Sequence, residues 1–232
     1  CGDFLKEIYP TSRIAVGEAL HCPTILANGF GAHRIEGIGD KHIPWIHNVK
    51  NTDMVIDVDD ADSMAMVRLF NEPAGKKYLK DRGASQELID QLPLMGISSA
   101  ANVIMAIKMA KYYELTENDV VMTVFTDSME LYDSRLKEME EEFGPYTDTD
   151  AAVDFKQHIE GLSVDWMQEL NYYDRKRIHN LKYYTWIEQQ GRDLDELNAQ
   201  WYDEEEYWGS IHKMTSAIDK KIDEFNKMTG LL

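Results

Sequence analysis

Asp127-Ser128 close the stretch Val120-Val121-Met122-Thr123-Val124-Phe125-Thr126, an apolar, β-branched run that ends abruptly in polar side chains. A run of that kind reads as a buried parallel strand. In open α/β sheets ligands gather outside the carboxyl ends of strands, where Thr126, Asp127 and Ser128 would stand. The plainer role is that Asp127 or Ser128 caps the helix whose spacing runs from Met129 to Met139. Two further segments stand out by their residue types. Gly37-Ile38-Gly39-Asp40-Lys41-His42-Ile43-Pro44 contains a Gly-x-Gly turn, which by its residues alone reads as an ordinary turn. Gly96-Ile97-Ser98-Ser99-Ala100-Ala101 opens a helix, and one of its serines is expected to cap it. Gly37-x-Gly39 is not a dinucleotide fingerprint, because no strand-turn-helix with a third glycine follows.

Four histidines, His21, His33, His42 and His47, lie close in sequence. No pair has the i, i+4 spacing of a helical zinc site, no Cys-x-x-Cys is present, and Cys22 stands alone, so they read as hydrogen-bonded loop residues and no metal site is assigned. Spacing alone supports no Ser-His-Asp arrangement. The acidic runs Glu140-Glu141-Glu142 and Asp203 to Glu206 read as solvated faces.

The elements that would position these groups alternate. Phe4 to Ile8 completes a helix already under way at Cys1, with Pro10 just beyond it. Arg13 to Glu18 and Met54 to Val58 are strands, and Asp60 or Asp62 caps a helix through Met64, Val67 and Leu69. Residues 71–95 form a Pro/Gly-interrupted break with a short helix at Gln86 to Leu92. The helix Val103 to Tyr113 and the Val120 strand follow. Strands alternating with helices predict a parallel sheet covered on both faces. From Tyr146 onward no strand-like run appears. Ser163 caps a helix carrying Trp166, Leu170, Tyr173, Leu181 and Tyr184; Gly191 stops it; Asp193 with Glu196 restarts it; and Ile211, Met214, Ile218, Ile222 and Phe225 mark a last helix. This tail holds four of the five tryptophans, so one face of it must be buried.

Three segments in register resemble the C-terminal half of the fold-type-II pyridoxal-phosphate enzymes, the group of cysteine synthase, cystathionine β-synthase and the tryptophan synthase β-subunit. They are His33 to Pro44, Gly96 to Ala101, and Thr126-Asp127-Ser128-Met129-Glu130-Leu131-Tyr132. The resemblance covers roughly residues 1–140. It implies an α/β fold, a three-layer parallel-sheet domain over residues 1–144, with an acidic, aromatic-rich α-helical extension over residues 145–232. It also implies pyridoxal 5'-phosphate as cofactor, with Ser128 meeting the pyridine nitrogen and Gly37 and Gly39 lying beside the reactive edge. A neutral hydroxyl at that nitrogen suits β-elimination and β-replacement, whereas a carboxylate favours transamination. Because successive residues leaving a strand point opposite ways, Asp127 is expected to cap a helix or pair with a basic side chain.

The departures matter as well. Asp40, Lys41 and His42 stand where the family has small and aromatic residues, which suggests a different or charged amino-acid substrate. The Schiff-base lysine and the Gly-rich phosphate cradle of the family lie upstream of the matched segment, so no catalytic residue is assigned within this chain. Lys80, in Lys77-Tyr78-Leu79-Lys80-Asp81-Arg82, echoes the family's lysine motif but sits in the interrupted break, and Lys41 is an equally poor candidate. The implied protein is an amino-acid lyase or β-replacement enzyme and a homodimer. This chain alone is expected to be inactive without its N-terminal portion. The rival reading is a non-catalytic assembly subunit built on the same half-fold.

The chain has 232 residues and a net charge of −18, with 44% hydrophobic and 10% aromatic residues. Such a chain buries a full core. The charge argues against nucleic acid, which needs a basic footprint, and against anionic membranes. Two cysteines are too few for a disulfide framework, which favours a cytoplasmic setting.

Overall fold

The computed structural model describes residues 2–231; Cys1, from which the first helix was read, lies outside them. In chain order the elements are α1 (Gly2–Ile8), β1 (Ala15–Ala19), α2 (Thr24–Ala27), β2 (Met54–Val58), α3 (Asp60–Asn71), α4 (Pro73–Asp81), α5 (Gln86–Gln91) and α6 (Ile97–Tyr112). There follow α7 (Asp133–Phe143), α8 (Asp148–Phe155), β3 (Met167–Glu169), α9 (Tyr172–Lys182), α10 (Leu194–Tyr202), α11 (Glu204–Lys213) and α12 (Thr215–Thr229). The chain forms two compact units, one of residues 13–41 and 53–170, the other of residues 1–12, 42–52 and 171–232.

The first unit is α/β, as the alternation predicts. Its sheet is small and mixed: β1 pairs with β2 in parallel and β2 with β3 antiparallel. All five residues of β2 are buried, because α3 and α6 pack together and α6 also lies on the strand. Met54, Val55 and Ile56 are fully buried, and a side chain of that size contributes roughly 1.5–3 kcal/mol on leaving water. Asp59, rather than Asp60 or Asp62, caps α3, accepting from Ala61 N at 2.8 Å. The interrupted break holds α4 as well as the short helix expected there; Pro73 sits in its first turn, where its missing N–H costs nothing.

Three expectations fail here. Val120 to Phe125 is not a buried strand: it has no regular secondary structure and is exposed, with Val120 83% and Met122 78% accessible. Composition favours a strand, but a strand also needs a partner ladder, and among the described residues β1 pairs with β2 alone. The tail does contain a strand, the short β3, whose partner β2 supplies the pairing that its own sequence does not advertise. Ser163 caps nothing there; α9 instead starts at Asn171, whose side chain accepts from Tyr173 N and Asp174 N in a capping box.

The second unit is helical. Its centre holds Ile178, Leu197, Trp201 and Trp208, all buried. Lys182, fully buried, donates to Trp45 O at 3.0 Å, His47 O at 2.6 Å and Gln200 Oε1 at 2.8 Å. Trp45 and Trp186 meet edge to face with centroids 6.0 Å apart. α9 runs on directly into a π-helical segment, Tyr183–Gln189; Gly191 follows its end with φ +68°, and Asp193 caps α10 through Asp195 N. The last apolar stripe is divided between α11 and α12 at Met214, and no residue of α12 is buried. Among the described residues no single helix is long and apolar enough to cross a membrane.

Candidate functional site

The three segments singled out in the sequence converge in the first unit. α6 begins after Gly96, and Ser98 and Ser99 sit buried in its first turn rather than at the cap, so the expected serine cap is absent. Ser98 is thereby free to point at neighbouring chain. Its hydroxyl exchanges a hydrogen bond with Thr126 Oγ1 at 2.9 Å and donates to Asp127 Oδ1 at 3.3 Å. The other oxygen of Asp127 accepts from the Tyr132 hydroxyl, while Gly96 N donates to Asp127 O at 3.0 Å. Asp127 is therefore neither a helix cap nor a partner of a basic group, as expected from the sequence, but an acceptor for two hydroxyls.

Gly37 and Gly39 both adopt positive φ, +86° and +91°, which a side chain would strain. A β-carbon on Gly37 would lie 3.8 Å from Ser98 Cβ, so this turn abuts the start of α6. Gly39 is just as enclosed: a β-carbon there would meet His33 Nε2 at 3.0 Å, and that imidazole hydrogen-bonds Gly39 O at 3.0 Å. Arg135 on α7 forms an ion pair with Glu36 and a second with Glu138, tying the glycine turn to the helix beyond Tyr132. Ser128, half-buried, has extended backbone (φ −117°, ψ 162°) ahead of a single 3-10 turn at Met129–Leu131, and its side chain makes no capping bond.

The lysine candidates do not join this cluster. Lys80 is exposed on α4 and donates to Gln86 Oε1 at 2.7 Å; Lys41 is exposed in the loop after Gly39. The histidines part company: His21 pairs with Asp60 at 3.7 Å, and His47 bonds Thr52 Oγ1 at 2.7 Å. Burial and the nearby Lys182 ammonium push His47 down to about 4. Among the described residues no three His, Cys, Asp or Glu side chains gather into a metal-sized group.

No family model matches the chain. Curated relatives do. Cysteine synthase B of Campylobacter jejuni is 30% identical over 131 residues, 56% of this chain and 37% of that protein. Cysteine synthase of Staphylococcus aureus is 32% identical over 131 residues, again 56% of this chain and 36% of the relative. A probable cysteine synthase of Bacillus subtilis is 30% identical over the same share. The chain is similar to cysteine synthases. It spans little more than a third of the length of the cysteine synthases it matches.

Sequence reasoning missed the roles of Tyr132 and Arg135 in this cysteine synthase-like stretch, because only folding brings them to Asp127 and Glu36. It also missed a buried ionisable pair in the sheet of the same unit. Glu18 and Asp57 face each other in register on β1 and β2, both buried. Glu18 accepts from Ile25 N at 2.9 Å and Leu26 N at 2.8 Å, whereas both Asp57 carboxylate oxygens are buried without a partner. Burial, then the Glu18 charge, pushes Asp57 up to about 8, and burial raises Glu18 too. Lys108 reaches in from α6 and donates to Asp57 O and Asp165 O, each at 2.9 Å. One signal was readable: a carboxylate in the middle of Met-Val-Ile-Asp-Val.

Proposed function

We propose that this chain is the C-terminal portion of a pyridoxal 5'-phosphate-dependent enzyme of the cysteine synthase kind, a lyase or β-replacement enzyme acting on a small amino acid. The observation that carries the reading is the convergence of Gly37, Ser98 and Asp127-Ser128, three segments far apart in sequence, at one place. The residues present fit one side of such a cofactor. Ser128 offers a half-buried hydroxyl that no helix cap consumes, and Gly37 offers backbone without a side chain for a flat ring to rest against, while His33 and Ala19 pack against Gly39 behind it.

When bound, pyridoxal phosphate supplies a sink for the charge that develops at the amino acid's α-carbon. The chain's own part is orientation. Ser128 would hold the pyridine nitrogen through a neutral hydroxyl, which would leave that nitrogen without the full charge a carboxylate partner would enforce. The Ser98–Thr126 hydrogen bond holds the end of the Val120–Phe125 run beside α6, and the Gly37 turn abuts the same helix start. The covalent lysine and the phosphate cradle come from a preceding N-terminal portion of the same protein. The exposed Val120–Phe125 run supports this, since it has the composition of an interior strand and no neighbour to pair with among the described residues. In the complete protein this run joins a three-layer parallel sheet, residues 145–232 apart from β3 supply the helical extension, and the enzyme is a cytoplasmic homodimer.

The test is a visible absorption titration with pyridoxal phosphate, followed by borohydride trapping and peptide mapping, on this chain and on the complete protein. The reading expects the complete protein to be labelled at a single lysine upstream of residue 1 and the 232-residue chain to show only scattered surface labelling. A single stoichiometric lysine within this chain, such as Lys80 or Lys41, overturns it. In the complete protein, Ser128→Ala should weaken cofactor binding or slow turnover with the fold intact; wild-type behaviour removes Ser128 from the site.

A further inference from the structure

Asp127 is held on three sides. Its carbonyl accepts from Gly96 N at 3.0 Å, its Oδ1 from Ser98 Oγ at 3.3 Å and its Oδ2 from the Tyr132 hydroxyl. An ionised carboxylate is acceptor-only, so both hydroxyls must donate to it. Ser98 has then spent its proton on Asp127, and Thr126 must be the donor in the bond it shares with Ser98. The hydrogen bonds thus run in one direction, Thr126 to Ser98 to Asp127, with Tyr132 meeting them from the other side.

The Asp127–Tyr132 bond also closes a short loop. Inside it, Leu131 N donates to Ser128 O at 3.3 Å and Tyr132 N to Met129 O at 2.8 Å. Ser128 lies within the closure, one peptide from the fixed carboxylate, and is the loop residue whose direction the closure sets. Residue 96 is shaped to the same purpose. A β-carbon there would stand 2.4 Å from Asp127 Oδ1 and 3.0 Å from the Tyr132 ring, so only glycine lets the carboxylate lie against the start of α6.

We propose that Asp127 is a positioning residue: its carboxylate ties the hydroxyls of Ser98 and Tyr132 together and thereby fixes the direction in which Ser128 presents its own hydroxyl. The clamp itself is independent of any ligand; only the identity of what Ser128 meets rests on the function proposed above.

The experiment is nuclear magnetic resonance on the 232-residue chain with labelled tyrosine Cζ and backbone, comparing wild type, Asp127→Asn and Tyr132→Phe. The last variant also assigns the Tyr132 signal. Accepting by Asp127, then burial, raises the Tyr132 phenol to about 12, so at about pH 10.5 it stays protonated in the wild type, whereas an ordinary phenol near 10 is mostly ionised there. Asp127→Asn should ionise it at that pH. At neutral pH both variants should shift or broaden the Ser128 amide and Cβ resonances. A wild-type Tyr132 that ionises with the ordinary phenols refutes the clamp. A protected Tyr132 with Ser128 resonances unmoved in both variants refutes the positioning of Ser128. A second arm uses pyridoxal phosphate as probe on the complete protein. Asp127→Asn should weaken binding about three- to tenfold, the worth of one hydrogen bond, and the double variant with Ser128→Ala should lose no more than Ser128→Ala alone. Additive losses show Asp127 acting apart from Ser128 and overturn the proposal. If Ser128→Ala leaves binding unchanged while the resonance results hold, the cofactor reading fails and the clamp stands.

Discussion

Replacing Asp57 with asparagine should flatten the stability of the sheet unit against pH. In the folded chain Asp57 is completely buried, both carboxylate oxygens lack a partner, and Glu18 stands opposite it. These surroundings, burial first, push its carboxyl up to about 8. An acid whose folded value is raised holds a proton that the unfolded chain releases, so its stabilising contribution is complete below the unfolded value near 3.9. That contribution is lost as pH rises through the folded one. At pH 7 the interval is about three pH units, and at 1.36 kcal/mol each the ceiling is roughly 4 kcal/mol. Glu18 shares the same proton economy and Lys108 offsets part of the charge, so about 2–4 kcal/mol of stability should disappear between pH 4 and 8. Asparagine keeps the volume, removes the titration and offers Glu18 an N–H donor. Urea unfolding followed by circular dichroism, at several values between pH 4 and 8, measures both proteins. The other 41 acidic side chains are common to the two, so their difference reports Asp57 together with its effect on Glu18. Wild-type and Asp57→Asn profiles that run parallel would refute the reasoning.

The helical unit should behave in the opposite sense. Burial pulls Lys182 down to about 7, the folded unit binds fewer protons than the unfolded one, and stability should rise from about pH 7 toward 10.5; Lys182→Met should abolish that rise in a urea series extended from pH 7 to about 10.5. Ile56→Ala, at a fully buried position in the central strand, should cost about 2–5 kcal/mol in unfolding free energy, read from the urea series, and a loss under about 1 kcal/mol would contradict the packing described. Gly96→Ala should push Asp127 away from α6 and lower the melting temperature, with Asp127→Ala restoring most of the loss by removing the colliding atom; an additive double variant would show that the collision is not with Asp127.

Much of the first unit was legible. β2 was read residue for residue, because a five-residue apolar strand bounded by polar residues has few alternatives. β1, α3 and α6 lie within a few residues of their expected ranges, and the glycine turn was legible because only glycine tolerates two positive φ values two residues apart. What was not legible depends on partners. Val120–Phe125 has strand composition, yet a ladder is a property of two segments. β3 has little strand character in Met-Gln-Glu and exists because β2 offers it an edge. At the site, the serines looked like caps since serine often is one, and nothing local announces that Asp127 and Tyr132, five residues apart, close a loop on each other. The coarse likeness to cysteine synthases was readable from short segments because those segments are backbone-constrained.

The exposed Val120–Phe125 run also bears on how the chain behaves in solution. Six residues rich in branched and aromatic side chains, free of proline and charge, are the composition from which intermolecular β-assemblies grow. A stretch that is uncovered and outside any ladder can offer its backbone to another copy as a template. Asp119 and Asp127 flank it as charged gatekeepers, and the −18 charge keeps copies apart at low ionic strength. Salt screens that repulsion within about 10 Å at 0.1 M. Colloidal stability of the isolated chain should therefore fall as salt rises, with fibre-like association beginning at this segment.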